Sequence, residues 1–227
     1  MKKYKNLLKV VGYLLLVFIL NRPLFYLIQY QEALTSLTAW ATSLLYLFLV
    51  LGVTVWLWRT YRAQTVAQAL RWKDLGLALL FGLLARIVAV VGTVLILLAS
   101  GQATSANDAA LLGIVGELRD GFFPIAILFL LYTSLLAPIV EEIIFRGLFI
   151  QLLFKNSSRW LAWLLSSTVF ALMHLHSFAP VEFILYFSLA SVLYLSYARR
   201  GEIKDSILVH ILNNALPTVV FAVQIFL

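Results

Sequence analysis

The chain contains no cysteine. This excludes a disulfide scaffold, a four-cysteine zinc site and a cysteine nucleophile. Charge is also scarce: Asp, Glu, Lys and Arg make up 12% of the 227 residues, against 63% hydrophobic. The mean hydropathy is +0.99. Soluble domains are about 25% charged and roughly 45–50% apolar. An ordinary globular enzyme and a disordered chain are therefore both excluded. A helix that spans a bilayer takes about 20 residues. Residues 1–227 have room for about seven or eight spans, with almost nothing outside the membrane. The expected fold class is all-α, a polytopic membrane helical bundle.

Acidic residues are outnumbered by basic ones, 10 to 17, for a net charge of +7. In a soluble protein that balance would raise nucleic acid as a partner. In a membrane protein it reflects Lys and Arg in cytoplasmic loops. The lipid bilayer is the expected partner, and nucleic acid is not. The basic clusters fall at 1–9, 59–73, 155–159 and 199–204, alternating with basic-poor loops. The N-terminus is therefore expected in the cytoplasm, with about seven spans. The run Val10–Leu20 follows a lysine-rich start, as in a signal peptide, but Asn21-Arg22-Pro23 replaces a cleavage site. It reads as an uncleaved first span.

Further apolar stretches run over Leu37–Trp58, Leu75–Leu98, Trp160–Leu175, Val181–Ala198 and Ile203–Leu227. Ser100–Asp120 is the most polar segment and reads as an external loop, with room for a surface helix. Phe122–Phe154 is too long for one span and contains Pro138. A break there would add an eighth helix, because proline removes a helix hydrogen bond. Residues 1–121 carry no signal beyond hydropathy, and the informative polar residues concentrate in 122–227.

A charge inside a span costs about 2.5–3.5 kcal/mol or more and is usually functional. Glu142 and Arg146 are four apart and share a helix face, which suits a buried ion pair. Glu141 lies about 100° round the helix, with no partner in the local sequence. A desolvated, unpaired carboxyl suits a general base near neutral pH. His174 stands one turn after Phe170, and His210 one turn before Asn214. His176 reads as a surface residue, and Arg86 has no partner that can be named.

Taking 141–154 and 159–174 as antiparallel helices about a turn centred between 156 and 157 puts Glu141 and His174 within about 3 Å in depth. His210, counted from Gly201, comes out shallower by about 10 Å. Two His and one Glu would suit a zinc site with an open position, so Glu141, His174 and His210 are the ligands if a metal is used. The H-E-x-x-H signature is absent. A metal-free scheme serves as well: Glu141, helped by His174, deprotonates a water that attacks a peptide carbonyl. His210 and Asn214 then donate to the oxyanion. No Gly-x-Ser-x-Gly element is present, which argues against a serine nucleophile.

Glu141-Glu142-Ile-Ile-Phe-Arg146 resembles the E-E-x-x-x-R motif of the CPBP family. That family groups type II CAAX prenyl endopeptidases with bacteriocin-processing and self-immunity ("Abi") proteins. Phe170-Ala-Leu-Met-His174 is similar to its F-x-x-x-H, and His210-Ile-Leu-Asn-Asn214 to its H-x-x-x-N. The three occur in the family's order, within about residues 122–217. The resemblance implies an intramembrane endopeptidase. Glu141 would be the water-activating base and His174 its partner. Glu142 and Arg146 would be the supporting pair, and His210 and Asn214 the oxyanion site. The family is read both as a metalloprotease and as a metal-free glutamate protease. The implied setting is a bacterial plasma membrane, with a leader peptide, a bacteriocin or a membrane-protein segment as substrate. The competing readings are a non-catalytic membrane partner or immunity protein on the same fold, and a transporter. Clustering of the polar residues in one half disfavours the transporter.

Overall fold

A computed structural model describes residues 2–155, 157–177 and 179–227. Of the expected basic segments, Met1 and Asn156 lie outside the described residues. Among the described residues, and besides a 3-10 turn at Gln31–Ala33, eight helices follow one another: α1 Lys2–Gln29, α2 Ser36–Arg62, α3 Trp72–Ser100, α4 Ala106–Leu118, α5 Phe123–Leu153, α6 Arg159–Met173, α7 Pro180–Ala198 and α8 Ile203–Phe226. There is no strand among the described residues. Six of the helices (α1, α2, α3, α5, α7 and α8) are long and apolar enough to cross a membrane. The sixth helix in order, α6, is apolar but spans only 15 residues, or about 22 Å at 1.5 Å per residue. It is therefore shorter than the roughly 30 Å of a hydrocarbon layer. The protein is an integral membrane helical bundle.

Two expected boundaries differ. The first helix does not stop at Leu20; it runs through Pro23 to Gln29. No eighth span arises at Pro138, because α5 passes through it without interruption. The chain does this by widening the turn before the proline: Tyr132–Leu136 is π-helical, and a second wide turn, Ile143–Leu148, follows Ala137–Glu142. A wide turn bonds i to i+5, which relieves the clash a proline ring makes in a tighter helix.

The expected surface helix is α4, capped by Ser105, whose side chain accepts from the Asp108 N–H at 3.1 Å. It is not purely external, since Asn107 and Asp108 line the interior cavity described below.

Small residues let the helices close up. On α3, Ala78, Gly82, Ala85 and Gly92 are buried in a stripe facing α7 and α8. A Cβ added at Gly82 would meet Leu212 at 3.2 Å, and one at Gly92 would run into Leu185. Close backbone approach of this kind takes the place of the hydrophobic driving force that lipid removes. The outer surface carries many exposed large apolar side chains, such as Leu79, Leu80, Leu83 and Val90 on α3. They face the acyl chains.

The basic segments gather at one end of the bundle. Asn6 Nδ2 donates to the Leu152 carbonyl at 2.8 Å, and the Tyr194 hydroxyl to that of Arg159 at 2.8 Å. The α2–α3 and α7–α8 connections are tied together by ion pairs. Arg62 forks onto Glu202 at 2.6 and 3.1 Å, and the Gln68 N–H adds a bond of 2.9 Å to the same carboxylate. Arg199 and Arg200 both pair with Asp74 and Asp205, at 2.6–2.9 Å. Glu202, Ile203, Asp205 and Ser206 are buried, so α8 begins inside the bundle.

Candidate active site

The π-helical turns of α5 bracket the Glu141-Glu142 pair. Wide turns of this kind are rare and often mark functional sites. Glu142 points inward and is fully buried. Its Oε1 accepts from Arg146 Nη1 at 2.9 Å, the ion pair expected from the i, i+4 spacing. Arg146 is also fully buried, and its Nη2 donates to the Ala190 carbonyl of α7 at 2.9 Å. Its guanidinium lies 4.6 Å from the Phe170 ring centroid, within cation–π range. The acid of α5 is thus held through the arginine to α6 and α7.

His210 of α8 supplies the third contact. Its Nδ1 lies 2.9 Å from the same Glu142 oxygen. Its Nε2 lies 3.8 Å from Glu141 Oε2. The imidazole therefore bridges the two adjacent carboxylates. With an ionised carboxylate at Nδ1, that nitrogen carries a proton, and Nε2 is the position that faces Glu141 and the cavity.

The depth estimate for His210 is overturned. Instead of lying about 10 Å above Glu141, it sits beside it. Two causes act together. The start of α8 is drawn inward by Glu202 and its partners, so Gly201 does not mark the level of the α5–α6 turn. The wide turn over Ile143–Leu148 packs more residues per turn, which shortens the distance from that turn to Glu141.

His174 is the C-cap of α6, directly after Met173. Its Nδ1 is 2.8 Å from the Phe170 carbonyl. A carbonyl can only accept, so Nδ1 carries the proton and the Nε2 of a neutral ring holds a lone pair. The ring stacks between Phe170, centroid to centroid 4.3 Å, and Tyr186 at 5.1 Å. Tyr186 is fixed in turn by a 2.7 Å hydrogen bond to Ser105. Phe170 touches Arg146, His174 and His210, which explains why an aromatic stands one turn before the histidine.

Glu141, His174, His210 and Asn214 all line one cavity of about 400 Å³. The side chain of Glu141 is 14% exposed and that of His210 7%. Arg86 and Asp108 line the same space from α3 and α4. Asn214 accepts from Asn213 Nδ2 at 3.1 Å and donates to the Thr133 carbonyl at 3.1 Å. His176 is exposed and stands apart, as expected.

Among the described residues, no group of three or more His, Cys, Asp or Glu side chains is arranged to hold a metal. The conditional zinc set of Glu141, His174 and His210 is therefore not a ready ligand cluster. His210 and Glu141 face each other and His174 lines the same cavity, while both imidazoles are held through Nδ1. Sequence reasoning missed Tyr186, Asn213 and Thr133. Tyr186 has no local signal, since it is one aromatic among many in an apolar helix.

Residues 123–216 match the family model of the type II CAAX prenyl endopeptidases, Rce1-like. The matched region holds all three motifs, and so agrees with the CPBP resemblance. UPF0177 protein YaiH of Lactococcus lactis is 42% identical over 92 residues, which is 40% of this chain and 37% of that protein. The alignment thus spans well under half of the relative's length. No solved structure matches.

Proposed function

We propose that a chain with Rce1-like sequence over residues 123–216 is an intramembrane endopeptidase that uses an activated water. One observation carries this reading. His210 is anchored by Nδ1 on Glu142 and turns Nε2 to Glu141, 3.8 Å away, at the wall of a cavity inside the bundle.

In this reading a water lies between Glu141 and His174 Nε2. Glu141 takes its proton as the oxygen attacks the carbonyl carbon of the peptide bond. The carbonyl oxygen becomes an oxyanion and meets the free amide N–H of Asn214. His210 joins it as a donor in its imidazolium form, the form in which both ring nitrogens carry protons. As the C–N bond breaks, the proton held by Glu141 passes to the departing amine. Glu142 and Arg146 touch no substrate; they hold the His210 ring. No step needs a metal.

The substrate of this reading is a bacterial peptide or membrane-protein segment, as in leader or bacteriocin processing or self-immunity. The relative from Lactococcus lactis supports a bacterial setting. The proposed location is the bacterial plasma membrane. The gathering of the basic segments at one end favours a cytoplasmic N-terminus.

The test is turnover by purified protein in detergent or nanodiscs, offered membrane-extract peptides and read by mass spectrometry of new termini. Cleavage that vanishes in Glu141→Gln supports the reading. Equal cleavage by that variant would remove Glu141 as the base, whereas binding of a peptide without cleavage by the wild type would favour the non-catalytic partner instead.

A further inference from the structure

Arg86 stands at the midpoint of α3, inside a span, and has no carboxylate within ion-pairing distance among the described residues. A charge there must have a strong local reason. Its Nη1 donates to the backbone carbonyl of Asn213 at 2.7 Å. In a helix that carbonyl would receive the N–H of the residue four positions on. In α8 that residue is Pro217, which has no N–H. The Asn213 carbonyl is therefore left open by the sequence of its own helix, and Arg86 fills the vacancy from another.

A second proline does the same to α5. The N–H of Ala137 bonds Tyr132, five residues back. In that register the Thr133 carbonyl would receive from Pro138, which again has nothing to give. Asn214 Nδ2 takes that carbonyl, at 3.1 Å. A continuous line of bonds results: Arg86 to the Asn213 backbone, the Asn213 side chain to Asn214 Oδ1, and Asn214 to α5. Both ends of the line rest on carbonyls that proline has freed.

We propose that Arg86 is a positioning residue. It supplies the donor that Pro217 withholds from the Asn213 carbonyl, and so sets the direction in which Asn214 offers its remaining N–H to the cavity. This rests on the peptidase reading for its consequence, but not for its geometry. It also gives the N-terminal half of the chain a part in the site, because α3 lies outside the matched region 123–216.

The test is a double-variant cycle on the full-length protein in detergent: Arg86→Met, Pro217→Ala and both together. Arg86→Met alone should lower Tm and lower kcat about 10- to 100-fold with KM little changed, the signature of a misaligned donor. Pro217→Ala restores a backbone N–H to the Asn213 carbonyl. In that background Arg86→Met should lose much less of both. An equal drop in Tm in the two backgrounds overturns the capping contact. Recovery of Tm without recovery of kcat overturns the positioning role. A wild type without turnover removes the peptidase reading and the positioning role with it, whereas the Tm cycle still decides the cap.

Discussion

Glu142 and His210 lie 68 residues apart in the chain and 2.9 Å apart in space. The oxygen that receives His210 also receives Arg146, at 2.9 Å. One buried carboxylate oxygen thus ties α8 to α5 and leaves Nε2 of His210 as the nitrogen that faces Glu141 and the cavity.

Among the described residues the Glu141 side chain forms no hydrogen bond; it approaches His210 Nε2 at 3.8 Å and faces the cavity. Glu141→Gln should not lower Tm, because the isosteric amide keeps the shape and removes a partly buried charge that has no hydrogen bond to lose. Its kcat should fall about 10²- to 10⁴-fold, the usual worth of a general base. Thermal melting and turnover on one preparation check both.

Glu142→Leu and Arg146→Met each strand a buried charge, at a cost of about 3–5 kcal/mol. The double variant strands none and should regain most of that stability. It should stay inactive, because His210 has lost the group that orients Nδ1. A double variant that recovers turnover along with Tm would separate His210 orientation from Glu142.

His174 both lines the cavity and forms the middle ring of a three-ring stack with Phe170 and Tyr186. His174→Phe keeps the stack and removes the nitrogens. It should melt close to the wild type and lose kcat about 10²-fold. His174→Ala should lose stability as well, by about 0.5–1.5 kcal/mol for the aromatic contacts.

Glu202 sits outside the spanning segments. Burial alone would raise its pKa, but the Arg62 fork and the Gln68 N–H outweigh that and hold it below its ordinary value of 4.5. A folded pKa below the unfolded one means stability that is present above the unfolded value and lost as pH falls through the folded one. Tm should therefore drop as the pH is taken below about 4.5. Glu202→Gln should start from a lower Tm at neutral pH and show a shallower decline over the same window. Parallel pH–Tm curves for the two proteins would count against the pairing.

Membrane character, the helical class and the position of most apolar helices were legible in hydropathy. The ion pair of Glu142 with Arg146 was legible because it is local: four residues on a helix give one face. The passage of α5 through Pro138 was not, since whether a proline breaks or widens a helix depends on what packs around it. The partner of Arg86 had a trace in sequence, the Asn213-to-Pro217 spacing that leaves a carbonyl open. Naming the donor still required knowing that α3 lies against α8.

What the amino-acid order determined by itself was a set of periodicities: apolar runs long enough to span lipid, and polar side chains spaced to share a helix face. Those follow from short-range backbone geometry, which repeats over a few residues whatever surrounds it. What only the tertiary structure decided was depth and partnership across helices. Those depend on where each helix begins, and the start of α8 is tied by Glu202 to Arg62 at the C-terminal end of α2. The long-range contact, not the local spacing, put His210 between two carboxylates.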